Sequence, residues 1–174
     1  AYPIQFLTQL LSEIADESGR AHRRGDQFQY RANGTSDIFW ERYIKMESFV
    51  ASVAGFDGFY DYTKNGKRRL KNIPPSYHLT FSVDEKTNSF SNAIAYLEAG
   101  YSVAVVLHES EKQLALKLDG PIVDGDKSDH RPQDPKGSIV LLRSKGKARK
   151  SQSGFIKPAS FIRGLVSYLE LSNA

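Results

Sequence analysis

Apolar positions recur along this chain with two periods, and the order in which the periods follow one another predicts the fold. Ile4, Leu7, Leu10, Leu11 and Ile14 fall at helical spacing behind Pro3, which predicts an amphipathic helix ending near Gly19. Gln27 to Ala32 alternates with period two and stops at Asn33-Gly34, the mark of a strand and its turn. Thr35, Ser36 and Asp37 are N-cap residue types, and Ile38, Trp40, Tyr43 and Ile44 behind them predict a second helix. Phe59 to Thr63 and Tyr77 to Ser82 predict two further strands, separated by a basic stretch, read as a turn and short helix, and by Pro74-Pro75. A helix around Phe90, Ile94, Ala95 and Leu97, stopped by Gly100, leads into Tyr101 to Leu107. That run is the most apolar of the chain and predicts a central strand covered on both faces. Gln113 to Leu118 and Ile122-Val123 predict short strands, and Ile139 to Leu142 another parallel one. Phe161, Ile162, Leu165, Val166 and Leu169 close the chain as a helix behind Pro158.

Strands separated by helices are what parallel pairing requires, because a parallel neighbour is reached only through a crossover. The predicted fold class is α/β: a mostly parallel sheet of alternating β-α units, either an open sheet or a partial βα barrel. Residues 1–174 read as a single α/β domain with a basic segment, 143–150, near the C-terminal end. In both arrangements ligands bind at the carboxyl ends of the strands. The residues expected there are Asn33, Ser36 and Asp37; Asp61, Thr63 and Lys64; Ser82 and Asp84; His108 and Glu109; and Arg143 to Lys147. From them come the pocket candidates Asn33, Asp37, Asp61, Tyr62, Lys64 and Lys145.

Composition narrows the chemistry. Cysteine is absent, which excludes disulfides, thiolate-bound zinc and a cysteine nucleophile in this chain. No apolar run approaches the roughly 20 residues needed to cross a bilayer, so no membrane partner is expected. The net charge of +4 and a pI near 9.2 permit polyanion binding without requiring it. None of the four histidines has metal-motif spacing, and GxSxG, Walker A and GxGxxG motifs are missing, so no catalytic residue is assigned.

Charge is concentrated in two places. Lys64, Lys67, Arg68 and Arg69 follow one predicted strand; Arg143, Lys145, Lys147, Arg149 and Lys150 follow another. These nine are the candidate nucleic-acid-binding residues, reaching phosphates, with Tyr60 or Tyr62 as stacking platforms for bases. Arg20, His22, Arg23 and Arg24 read instead as a charged helix end suited to the helix dipole. The Asn33 to Asp37 turn offers polar side chains and helix N–H groups to an anion. Asp124, Asp126 and Asp129 match only the start of a calcium loop, without its later glutamate. At this spacing the three are candidate ligands for magnesium or manganese together with a phosphate. The other reading is a polar turn around Gly125, in which Asp124 and Asp126 accept backbone hydrogen bonds and pair with Arg131 or Lys127.

Several segments together carry a family likeness: Arg31-Ala32-Asn33-Gly34-Thr35-Ser36-Asp37-Ile38 followed by Trp40, Tyr60-Asp61-Tyr62-Thr63-Lys64, Asp124-Gly125-Asp126 with Asp129 and Arg131, and Lys145-Gly146-Lys147-Ala148. In these the chain resembles a family of phage- and plasmid-borne proteins often labelled replication or rolling-circle replication proteins. The resemblance runs from the first helix to about Phe155. It implies a mobile-element setting, a location in the host cytoplasm and a link to DNA. Members typically carry a cysteine-rich segment upstream of the first helix, and the paired-histidine motif of rolling-circle nucleases is missing from Tyr77-His78-Leu79. The expected function is a replication-associated protein binding nucleic acid, DNA first, through a basic rim at the strand ends. Two alternatives stand beside it: a βα-barrel-type enzyme with a metal or anionic cofactor at the same rim, and a non-catalytic protein that binds a phage or host protein.

Overall fold

The computed structural model describes residues 3–172. Its strands are β1 (Phe28–Arg31), β2 (Phe56–Thr63), β3 (Tyr77–Ser82), β4 (Ser102–Leu107), β5 (Ile122–Asp124) and β6 (Ile139–Arg143). Its α-helices are α1 (Ile4–Arg24), α2 (Met46–Ser52), α3 (Ser89–Glu98), α4 (Glu109–Ala115) and α5 (Ala159–Ser172). The strands are all parallel, in the order β1-β2-β3-β4-β6-β5. The fold is therefore α/β with an open sheet, and the barrel alternative falls away. The chain divides into two compact units, Ala1–Asp61 with Lys71–His78, and Tyr62–Leu70 with Leu79–Ala174.

In the first unit α1 runs past Gly19, where the sequence pattern stopped it, and ends at Gly25, whose φ of 76° lets its N–H return to the helix carbonyls. A glycine inside a helix costs about 1 kcal/mol relative to alanine. Packing offsets that cost: Ser18 and Ala21, on either side of Gly19, are buried, and the Ser18 hydroxyl donates to the Ala54 carbonyl at 3.0 Å. The basic cluster at the helix end sits against the negative end of the dipole, and Arg24 pairs with Asp26 at 2.8 Å. β1 pairs with β2, Tyr30 opposite Phe59. Phe49, brought by α2, packs edge-on against Phe56 and tilted against Phe59, with ring centroids 5.5 and 5.9 Å apart. Gly55, at a φ of 73°, lies under His22, and a Cβ there would stand 2.6 Å from the His22 Cβ.

The helix expected from Ile38 to Ile44 is absent. One 3-10 turn, Trp40–Arg42, stands in its place, and α2 begins only at Met46. Thr35, Ser36 and Asp37 therefore cap nothing, and the anion site proposed at that helix start has no helix behind it. Between β2 and β3 the chain likewise makes only a 3-10 turn, Leu70–Asn72.

In the second unit β3, β4, β6 and β5 pair in parallel, with Phe81 opposite Val103, Val105 opposite Leu141, and Val123 opposite Val140. Val103, Val105, Leu107, Ile139, Val140 and Leu141 are all 0% exposed, as a strand covered on both faces demands. α3 packs on β4 and α5 packs on α3 and α4. Two ring pairs carry this layer, Phe81 with Tyr96 at 4.8 Å and Phe90 edge-on to Phe161 at 5.3 Å. The strand expected over Gln113 to Leu118 is instead the end of α4. The alternating Leu114, Leu116 and Leu118 suggest period two, yet Leu114 is 55% exposed while Lys112 and Ala115, three residues apart, are buried. A buried arginine, Arg131, holds the long β5–β6 connection, donating to the carbonyls of Gly125 and Ser128 and pairing with Asp134 at 3.0 Å. No helix among the described residues is long and apolar enough to cross a membrane.

Replacing Gly55 by alanine adds a methyl where His22 stands and forces an L-residue into left-handed backbone. The expected cost is about 1–3 kcal/mol, read as a lower urea midpoint at unchanged slope.

Candidate functional site

Parallel strands put their carboxyl ends on one edge of a sheet, so four chain segments of the second unit emerge together. They are Val83-Asp84 after β3, His108-Glu109 after β4, Gly125-Asp126 after β5 and Ser144-Lys145 after β6. β6 lies between β4 and β5, so the chain leaving β4 passes over it through α4 before reaching β5. Crevices at such changes of direction are where open α/β sheets hold ligands.

The edge is fixed by a lysine. Lys112 of α4 is 3% exposed, and its ammonium donates to Asp124 Oδ1 and, at 2.7 Å, to Asp126 Oδ2. Asp126 also accepts the Arg143 N–H at 2.8 Å and the Lys145 ammonium at 3.0 Å. One carboxylate thus joins α4, the end of β5 and the end of β6. Burial pushes the Asp126 carboxyl up, but the hydrogen bonds from Lys112, Lys145 and the Arg143 N–H outweigh it and hold the pKa at about 2. Asp124 is held below the usual carboxylate range for a similar reason: burial is outweighed by Lys112 and by the Asp126 N–H. Burial pulls Lys112 down, and its two carboxylates outweigh that and raise it.

This arrangement bears directly on the metal candidates. The Asp126 N–H closes onto Asp124 Oδ1 at 3.1 Å, the backbone turn expected around Gly125, yet the cationic partners are Lys112 and Lys145, not Arg131 or Lys127. The ammonium of Lys112 stands where a magnesium or manganese ion would. Asp129 lies exposed in the following loop, and no three His, Asp or Glu side chains converge on a metal position among the described residues. The residues present therefore do not fit a resident divalent cation.

From the last residue of β6 onward the basic residues are exposed: Arg143, Lys145, Lys147, Arg149 and Lys150, the last three on a 3-10 turn, Gly146–Lys150. Glu109 lies 3.6 Å from Arg143 and Asp126 pairs with Lys145, while no carboxylate pairs with Lys147, Arg149 or Lys150 among the described residues. Arg149 folds back, its Nε donating to the Ser144 carbonyl at 3.3 Å. A cavity of about 370 Å³ opens here between His108, Glu109, Arg143, Ser144 and Arg149. Its floor is Ser144, 3% exposed, with Oγ 3.4 Å from His108 Nδ1. The other basic stretch is ordered differently. Lys64 lies over the Phe155 ring at 5.1 Å, Lys67 and Arg69 are exposed, and Arg68 is buried at 5% exposure, out of reach of a polyanion. Tyr62 is half-buried.

The remaining pocket candidates, Asn33, Asp37 and Asp61, lie in the first unit. The structure brings Asn33 and Asp61 together, both 1% exposed. The Asn33 N–H and amide donate to the two Asp61 oxygens at 2.7 and 3.0 Å, and the Tyr77 hydroxyl donates to Asp61 at 2.7 Å. The Asn33 side-chain oxygen, Oδ1, accepts from the Ser36 hydroxyl, from the Ile38 N–H and from the Trp40 indole N–H. Asp37 is exposed on the same loop. Asn33 and Asp61 are thus committed to one another and to shaping residues 33–40. Lys112 and the Trp40 nitrogen are the participants that the sequence alone passed over. Lys112 stands just before a segment read as a strand, Gln113 to Leu118, and nothing in the pattern distinguishes the Trp40 nitrogen, whereas Ser144 falls within the Arg143 to Lys147 stretch expected at the rim.

Lys112→Met keeps most of the side-chain volume and leaves two carboxylates without their ammonium. The expected loss is about 3 kcal/mol at neutral pH, measured by urea denaturation. The depressed carboxyl pKa values mean that the folded state binds these protons less readily than the unfolded chain. The stability they contribute is complete above about pH 4 and is lost as pH falls toward the Asp126 value of about 2. The urea midpoint of the parent should fall across that window, and that of Lys112→Met should fall less.

No curated protein and no solved structure matches the chain. One family model does, that of gene product 88, over residues 4–159. This stretch holds both polar clusters and the basic segment, so the chain belongs to the gene product 88 family, a family of phage-type gene products.

Proposed function

We propose that the protein is a replication-associated nucleic-acid-binding protein of a phage or plasmid, working in the host cytoplasm, and that the second unit makes the contact. The observation that carries this reading is the segment 143–150, which starts at the last residue of β6. Five cations emerge there at the carboxyl end of a central strand, with no acid among residues 143–150 and three of the cations without a carboxylate partner among the described residues. Phosphates are the ligand that such a field attracts, because each cation that meets one releases condensed counterions. Lys64, Lys67 and Arg69, following β2, add positive charge to the same unit. Asp126 supports the reading indirectly. Its hold on the Arg143 backbone and the Lys145 ammonium fixes where the basic turn begins. Membership of a phage-type family agrees with the phage setting of this reading.

Fluorescence anisotropy with single- and double-stranded DNA across a salt series is the test. Affinity should fall by orders of magnitude between about 50 and 200 mM salt. A Lys147→Ala, Lys150→Ala double variant should bind more weakly and show a log-log salt slope shallower by roughly 2. Salt-independent binding, or none at low salt, would sink the reading. A phage or host protein that co-purifies without nucleic acid would then favour the interaction-protein alternative.

A further inference from the structure

The exposed cations account for contact with the flank of a nucleic acid, but not for the cavity beside them. It is lined by Arg143 and Arg149, by Ser144 and by His108, whose Nδ1 stands 3.4 Å from the Ser144 hydroxyl. The single carboxylate in the lining, Glu109, accepts from the Gln113 amide at 2.8 Å and pairs with Arg143 at 3.6 Å. Arg149 is the cation of the lining with no carboxylate partner among the described residues, and two guanidiniums against one carboxylate leave the cavity net positive.

The shape is equally informative. β4 and β6 are hydrogen-bonded neighbours, Leu107 opposite Arg143, so the floor of the cavity is the pair of strand ends themselves. Adjacent strands stand about 4.8 Å apart, which leaves no channel between them, so this is a depression at the strand ends and not a passage through the sheet. The volume, about 370 Å³, lies in the range that small-molecule sites occupy. A terminal phosphate has three free oxygens and close to two negative charges at neutral pH, since its second pKa is about 6. An internal diester has two free oxygens and one charge. Two forked guanidiniums, a hydroxyl and an imidazole match the first better than the second.

We propose that the cavity between the ends of β4 and β6 holds a phosphate monoester, either the terminal phosphate of a nucleic-acid strand or a free nucleoside monophosphate. This rests on the nucleic-acid reading of the basic segment and narrows it to the end of a strand. Arg149 is the residue whose fork closes on the phosphate, because its Nε is held on the Ser144 carbonyl while its terminal nitrogens remain for the ligand.

The test compares oligonucleotides of one sequence bearing a 5′-phosphate, a 3′-phosphate or hydroxyls at both ends, by anisotropy at low salt, with calorimetric titrations of inorganic phosphate and a deoxynucleoside monophosphate. One of the two phosphorylated ends should bind about tenfold or more tightly than the hydroxyl-ended strand. Arg149→Ala should abolish that difference, whereas Lys150→Ala should weaken all three strands alike and keep it. Both side chains are exposed, so neither change endangers folding. Equal, salt-sensitive binding of all three strands would overturn the terminal-phosphate site and leave the nucleic-acid reading standing. Monophosphate binding that Arg149→Ala removes, without oligonucleotide binding, would assign the cavity to a free mononucleotide and overturn the nucleic-acid reading. Failure of every ligand would overturn both.

Discussion

Lys112 carries its charge to a place where 4% of its side chain meets water, between two carboxylates that are themselves mostly covered. Desolvating three charges is expensive, and a well-packed apolar trio is often as stable or more so. What the ionic arrangement provides is position. Through Asp126, a residue on α4 fixes the backbone at Arg143 and the ammonium at Lys145, and so determines where the chain leaves β6. Everything proposed for this edge begins at that point: the exposed cations, the fold-back of Arg149 onto Ser144, and the cavity floored by the ends of β4 and β6. An apolar substitute would hold the helix down but would not present a carboxylate to the Arg143 N–H.

The first unit uses the same kind of device with a different charge balance. There the buried acid is Asp61, and its partners are the Asn33 backbone and amide and the Tyr77 hydroxyl. The Asn33 oxygen then gathers three donors from residues 36 to 40. A buried polar network that is satisfied in this way sets one conformation for a loop which the propensities of its residues would have made a helix. Catalytic groups need free valences toward a substrate. The hydrogen bonds of Asn33 run inward, so its part is to shape the loop.

Periodicity reached those parts of the molecule that burial alone determines. Val103 to Leu107 and Ile139 to Leu142 are covered on both faces, and their apolar runs announce it. β3 and α5 carry their own boundaries in alternating residues and in Pro158. What periodicity missed depends on partners distant in sequence. The Asn33 amide meets an acid 28 residues away, which is why Thr35, Ser36 and Asp37 looked like helix caps and are not. The fate of Lys112 is decided by aspartates 12 and 14 residues later, at the end of a strand too short to be more than a hint. The basic segment was legible because exposed charge needs no partner to be recognised. The cavity beside it was legible only as a shared rim: His108 and Ser144 were both expected at strand ends, but being 36 residues apart they meet only because β4 and β6 are neighbours.

The central claim is that Asp126, charged and held by Lys112, fixes the departure of the chain from β6. Hydrogen exchange at the Arg143 amide measures this most directly, since that N–H is the one Asp126 accepts. In the parent at neutral pH the amide should exchange as slowly as its neighbours in β6. In an Asp126→Ala variant, Arg143 should lose that protection while Val105 and Leu141, deeper in the sheet, keep theirs. If Arg143 exchanges equally slowly in both, the carboxylate is not what holds the edge, and the account built on it is wrong.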